Sequence, residues 1–132
     1  MNSAIAQYRK LDVQTAIDGA TPHKLVDMLL DGAQTRLRRA RACIEHRDFE
    51  GRSAAVNSAM DIISALQASL DHDRGGDLSG NLEALYDYMT RRLFRANADN
   101  DLDAVREVLD LLATLHEAWR AIGDQIPQRQ HA

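Results

Sequence analysis

The stretch Val105-Arg106-Glu107-Val108-Leu109-Asp110-Leu111-Leu112-Ala113-Thr114-Leu115-His116-Glu117-Ala118-Trp119-Arg120-Ala121-Ile122 decides the fold class. Val105, Val108, Leu112, Leu115, Trp119 and Ile122 recur at strict steps of three and four, the signature of one apolar helical face. The same spacing runs upstream. Val26, Leu29, Ala33, Leu37, Ala40 and Ile44 form one stripe, and Val56, Ala59/Met60, Ile63, Leu66 and Leu70 a second. Leu82, Leu85/Tyr86, Met89, Leu93 and Ala96 form a third. The only prolines are Pro22 and Pro127, so nothing between them removes a backbone donor or fixes φ. No Val/Ile/Thr/Tyr-rich alternation at period two competes, which makes a sheet improbable.

The punctuation agrees. Thr21-Pro22 supplies a hydroxyl N-cap with proline at the first helical position. Asp48 can cap the second helix, with Glu50 in its positive first turn. Asp71 to Asp77 is a break rich in turn formers, after which Ser79 can cap the third helix. Asn97 to Asp101 reads as a polar turn, and the fourth helix ends by Gly123. Four amphipathic helices with short links imply an all-α fold, an antiparallel up-down-up-down four-helix bundle. The bundle should span residues 21–123, with an N-terminal arm over 1–20 and a disordered tail over 124–132.

At 132 residues the chain has one domain's worth of material and can bury about two-thirds of its unfolded surface without disulfides or metal. The net charge of −4 has the wrong sign for a general nucleic-acid binder. Arg36, Arg38, Arg39 and Arg41 wrap around their helix at 100° per residue rather than forming a stripe. They and Arg91, Arg92 and Arg95 read as solvated, ion-paired surface. A single cysteine, Cys43, excludes an internal disulfide and fits a reducing compartment. Met1 to Tyr8 lacks the basic start and apolar run of a signal peptide, and no stretch approaches the roughly 20 apolar residues of a membrane span. The expectation is a cytoplasmic protein with no membrane insertion.

Catalytic constellations are not found. None of His23, His46, His72, His116 and His131 has an acidic residue three positions earlier, so the Glu-x-x-His pairs of a di-metal bundle are missing. A calcium loop starting at Asp71 would place Leu82 where a bidentate carboxylate is required. Cys43 lacks an evident base and reads as a packed small residue. A phosphotransfer bundle needs only one exposed helical histidine with a cation nearby, and His116 with Arg120 four residues on is the candidate. No metal and no cofactor is expected.

The informative feature is apolar surplus off the stripes. Relative to each stripe's mean direction, Met28 lies roughly 140° away, Ile62 about 90°, Tyr88 about 110° and Phe94 about 130°. Tyr86 sits at a stripe edge. Such residues suggest grooves that receive another helix, and a helical binding module is the physical reading.

The sequence also resembles the flagellin export chaperones, the FliS family. The match runs from Ile5-x-x-Tyr8 through Ala20-Thr21-Pro22-His23-Lys24-Leu25 and Met28-Leu29-Leu30-Asp31-Gly32-Ala33. It continues through Asp61-Ile62-Ile63, Leu70-Asp71 and Gly75-Gly76 to Asn81-Leu82-Glu83-Ala84-Leu85-Tyr86-Asp87-Tyr88-Met89. Arg91-Arg92-Leu93, Ala96-Asn97 and Trp119 complete it. Leu30 stands where the family usually has an aromatic residue, and Thr21 where it usually has serine. The resemblance implies a non-enzymatic cytosolic chaperone. Such proteins bind the C-terminal segment of flagellin, prevent its premature polymerisation and deliver it to the flagellar type III export gate. Met28, Ile62, Tyr86, Tyr88 and Phe94 are the expected flagellin-groove residues. Ile5 and Tyr8 are expected to contact the cytoplasmic domain of the gate or to plug a groove. A homodimer is compatible with the same surfaces. The competing readings are the phosphotransfer bundle and a self-assembling structural bundle.

Overall fold

A computed structural model describes residues 21–123, all helix and short turns. Helix α1 spans Pro22–Glu45, α2 Phe49–Ala68, α3 His72–Gly75, α4 Asp77–Asp99 and α5 Leu102–Gly123. The expected arm at 1–20 and tail at 124–132 lie outside the described residues.

Local chemistry explains most boundaries. Thr21 Oγ1 accepts from Lys24 N at 3.1 Å, and Pro22 fills the first turn. Asp48 accepts from Gly51 N at 2.9 Å to start α2, and Asp101 accepts from Ala104 N at 3.1 Å to start α5. The third long helix begins differently from expectation. Its N-cap is Gly76, at φ +51°, and Ser79 lies inside α4. Ser79 is buried, and its hydroxyl donates to Asp71 O at 2.9 Å. The serine therefore ties the helix to the preceding break rather than capping it. That break contains α3, one turn capped by Asp71. At the other end α4 continues through Asp99, and Asn100 in the left-handed region turns the chain into α5.

Polar pairs fix the topology. Asp27 reaches His116 and Arg120, while Glu45 at the far end of α1 meets Arg106 at 3.8 Å, so α1 and α5 run antiparallel. Asn97 to Asn57 at 2.9 Å and Gln67 to Asp87 at 2.7 Å make α2 and α4 antiparallel. The left-handed turn at Asn100 folds α5 back along α4, where Arg92 meets Asp101 and Glu107. Each long helix contacts two neighbours, in the cyclic order α1, α2, α4, α5. This is the expected up-down-up-down bundle.

The core is continuous. Leu29, Leu37, Val56, Ile63, Met89 and Leu112 are fully buried. Ala33, Ala40, Ala55 and Ala59 are buried as well, and their small side chains let α1 and α2 approach closely. Three stripe residues at one end of the bundle are less buried than expected. Leu115 and Trp119 are half-buried and pack against the core rather than sitting inside it, and Ile122 is 49% exposed. The bundle is open there.

Candidate functional site

The opening is an apolar cleft of about 340 Å³, where the start of α1 and the end of α5 face the α2–α4 connection. Val26 and Leu30 of α1 and Leu115 and Trp119 of α5 form one wall. Leu70, Leu78, Leu82 and Tyr86 form the other. The cleft follows from the local sequence. α3 is only one turn long, and the positive φ at Gly76 redirects the chain before α4 begins, so this wall is not a continuous helix. Leu78 is left 63% exposed at the rim. Arg74 and Asp71, the only charged residues among the described ones that line the cleft, pair with each other within the α3 turn at 3.6 Å.

Behind the α1 wall, on the outer seam of the α1–α5 contact, polar groups hold the helices together. Gln34 Nε2 donates to Leu30 O at 3.0 Å and lies 2.8 Å from His116 Nδ1. An amide nitrogen only donates, so Nδ1 accepts and the imidazole proton sits on Nε2. That nitrogen donates to Asp27 Oδ1 at 2.7 Å. Asp27 also accepts from Lys24 Nζ and Arg120 Nε, each at 3.2 Å. Burial pushes the Asp27 carboxyl upward, but the hydrogen bonds from His116, Lys24 and Arg120 outweigh it and bring the pKa down to about 2. One turn further on, the His23 and Trp119 rings stack at 4.7 Å. His23 Nε2–H donates to Trp119 O at 2.8 Å, and Trp119 Nε1–H donates to His23 O at 3.0 Å. A Cβ at Gly123 would collide with the His23 ring, so a glycine there permits the clasp.

The five expected groove residues do not converge on one surface. Tyr86 lines the cleft from below, and burial pushes its phenol up to about 12. Tyr88 lies along the α4–α5 seam and donates to Glu107 Oε2 at 2.6 Å, a bond that raises its pKa. Phe94 is 61% exposed on the other flank of α4, in line with Asp87, which pairs with Gln67 of α2. Met28 is half-buried against the core. Ile62 is 3% exposed, so the expectation that it borders a surface groove is corrected. The reason is geometric: α1 and α4 both pack on α2, and their contacts widen its buried face past 90°. Ile5 and Tyr8 lie outside the described residues.

His116 is 5% exposed with both ring nitrogens engaged, which removes the accessible imidazole that phosphotransfer requires. Cys43 is half-buried, and burial, with Asp48 beside it, pushes its thiol up, away from nucleophilic thiolate character. Among the described residues no His/Cys/Asp/Glu group could hold a metal ion, and no helix is long and apolar enough to cross a membrane. Sequence reasoning did not single out Leu78, Leu115 and Trp119 as cleft residues. The available signal was the length of the Asp71–Asp77 break, which is too irregular to close the bundle end.

The described residues define an all-helical bundle that is open at one end on an apolar cleft. The chain belongs to the flagellar protein FliS family, whose model matches residues 4–126. It is 44% identical over 121 residues to the flagellar secretion chaperone FliS of Salmonella typhimurium, covering 91% of this chain and 90% of that protein. It is 36% identical over 119 residues to the flagellar secretion chaperone FliSB of Pseudomonas aeruginosa, covering 90% and 94% of the two chains. With FliS of Vibrio cholerae serotype O1 it shares 33% identity over 131 residues, 99% and 93% of the respective lengths. Membership supports a flagellar export chaperone role.

Proposed function

We propose that this chain is a cytosolic chaperone for flagellin. It binds flagellin's C-terminal segment, prevents premature polymerisation and delivers the client to the type III export gate. The observation that carries the reading is the largely apolar cleft between Val26, Leu30, Leu115 and Trp119 on one side and Leu78 and Leu82 on the other. An amphipathic segment fits such a cleft because its apolar face replaces water there. Tyr86 in the cleft, Met28 on α1, and Tyr88 and Phe94 on opposite flanks of α4 suit a client that wraps the bundle rather than filling one pocket. A segment disordered before capture loses several kcal/mol to ordering, which keeps binding reversible for hand-over. Ile5 and Tyr8, three residues apart, would share one face of a helical turn. They plug a groove in the free protein or recognise the cytoplasmic domain of the gate. Co-purification with full-length but not C-terminally truncated flagellin supports the reading, and equal recovery of both refutes it.

A further inference from the structure

We infer that His116, Gln34 and Asp27 form a proton-responsive latch that positions the α1–α5 wall of the apolar cleft. The cleft residues Val26 and Leu30 interleave in sequence with Asp27 and Gln34, and the cleft residues Leu115 and Trp119 flank His116. One helix contact thus carries the wall on its inner side and the polar network on its outer seam. The network is complete only for a neutral imidazole. Gln34 spends both amide hydrogens, one on Leu30 O at 3.0 Å and one on His116 Nδ1 at 2.8 Å.

A proton added to Nδ1 meets an N–H donor head-on in a site where Gln34 is 8% and His116 5% exposed. Rotating the amide lets Oε1 accept from Nδ1–H, but it then faces Leu30 O, acceptor against acceptor. Either arrangement sets two like groups against each other in a buried site, where low dielectric makes the repulsion strong. Asp27 accepts from Nε2–H in both states, and its charge is shared with Lys24 and Arg120, so it does not relieve the clash at Gln34. Release therefore falls on the Gln34 side, beside Leu30, and loosens the wall.

The device goes beyond client identity, and its test needs no client, so its failure is separate from failure of the flagellin reading. Trp119, the only tryptophan, reports on the wall directly. An apolar fluorescent dye and Trp119 emission are followed between about pH 7.5 and 5.5, where imidazoles titrate, with far-ultraviolet circular dichroism as the check on folding. The expected result is a several-fold rise in dye emission, a Trp119 spectral shift on acidification and unchanged helicity. His116→Asn cannot take up the proton, and its carbonyl can accept from Gln34. Gln34→Leu removes the donor that clashes. Both variants should lose the step, and Gln34→Leu decides alone if His116→Asn does not fold. His23 is the other imidazole at this seam, stacked on Trp119, so His23→Phe must retain the dye response. No step in the wild type, a step surviving in either latch variant, or a step lost in His23→Phe overturns the inference.

Discussion

Replacing Asp27 by asparagine tests the electrostatics of the α1–α5 seam with almost no change in shape. The Asp27 carboxylate is 14% exposed and accepts from His116, Lys24 and Arg120. Its pKa falls from 3.8 to about 2 in the folded chain. One pKa unit is worth about 1.4 kcal/mol, so this drop corresponds to about 2 kcal/mol of stability. The sign follows from the direction. A depressed carboxylate stabilises above its unfolded pKa, and the contribution is lost as pH falls through the folded value. Asparagine retains an acceptor for His116 but no charge for the two cations. Urea unfolding at pH 7 should therefore show Asp27→Asn about 2 kcal/mol less stable than the wild type. The gap should not shrink down to about pH 4, and it should close towards pH 2. Lys24 and Arg120 are each 62% exposed, so added salt should trim their share and leave that of His116. A gap of constant size from pH 7 to pH 2 would refute the assignment of this stability to the ionised carboxylate.

Leu112 is fully buried in mid-bundle, and Leu112→Ala should cost about 2–5 kcal/mol in denaturant unfolding. Phe94→Asp should leave circular dichroism and melting nearly unchanged while weakening flagellin capture by calorimetry; unchanged affinity removes Phe94 from the client surface. Ile62→Asp should instead unfold the bundle, because it places an unpaired charge at a position 3% exposed. Ile5→Ala combined with Tyr8→Ala should keep flagellin binding within about tenfold, roughly 1.4 kcal/mol, while docking of the loaded complex to the gate domain is lost. Wild-type recovery in a pull-down on the purified gate domain contradicts the targeting role.

Much of the fold was legible along the chain because helices are local objects. The three-four spacing of Val105, Val108 and Leu112, the Thr21 and Asp48 caps and the short links required nothing beyond neighbouring residues. An angle on a single helix measures distance from a mean direction, not how many partners that helix has. Ile62 at about 90° is therefore buried where two helices pack on α2, whereas Phe94 at about 130° stays exposed.

Sequence by itself determined an all-α bundle, its four long helices, most of their ends and the family to which the chain belongs. Tertiary structure alone decided that Ser79 braces the break instead of capping α4, and that Leu115 and Trp119 face an open cleft. It also decided that Asp27, Gln34 and His116, 82 residues or more apart across the seam, share one hydrogen-bond network. The physical reason is range. Periodicity and capping act within a few residues, while clefts and buried polar networks arise only where two helices distant in sequence meet in a particular register.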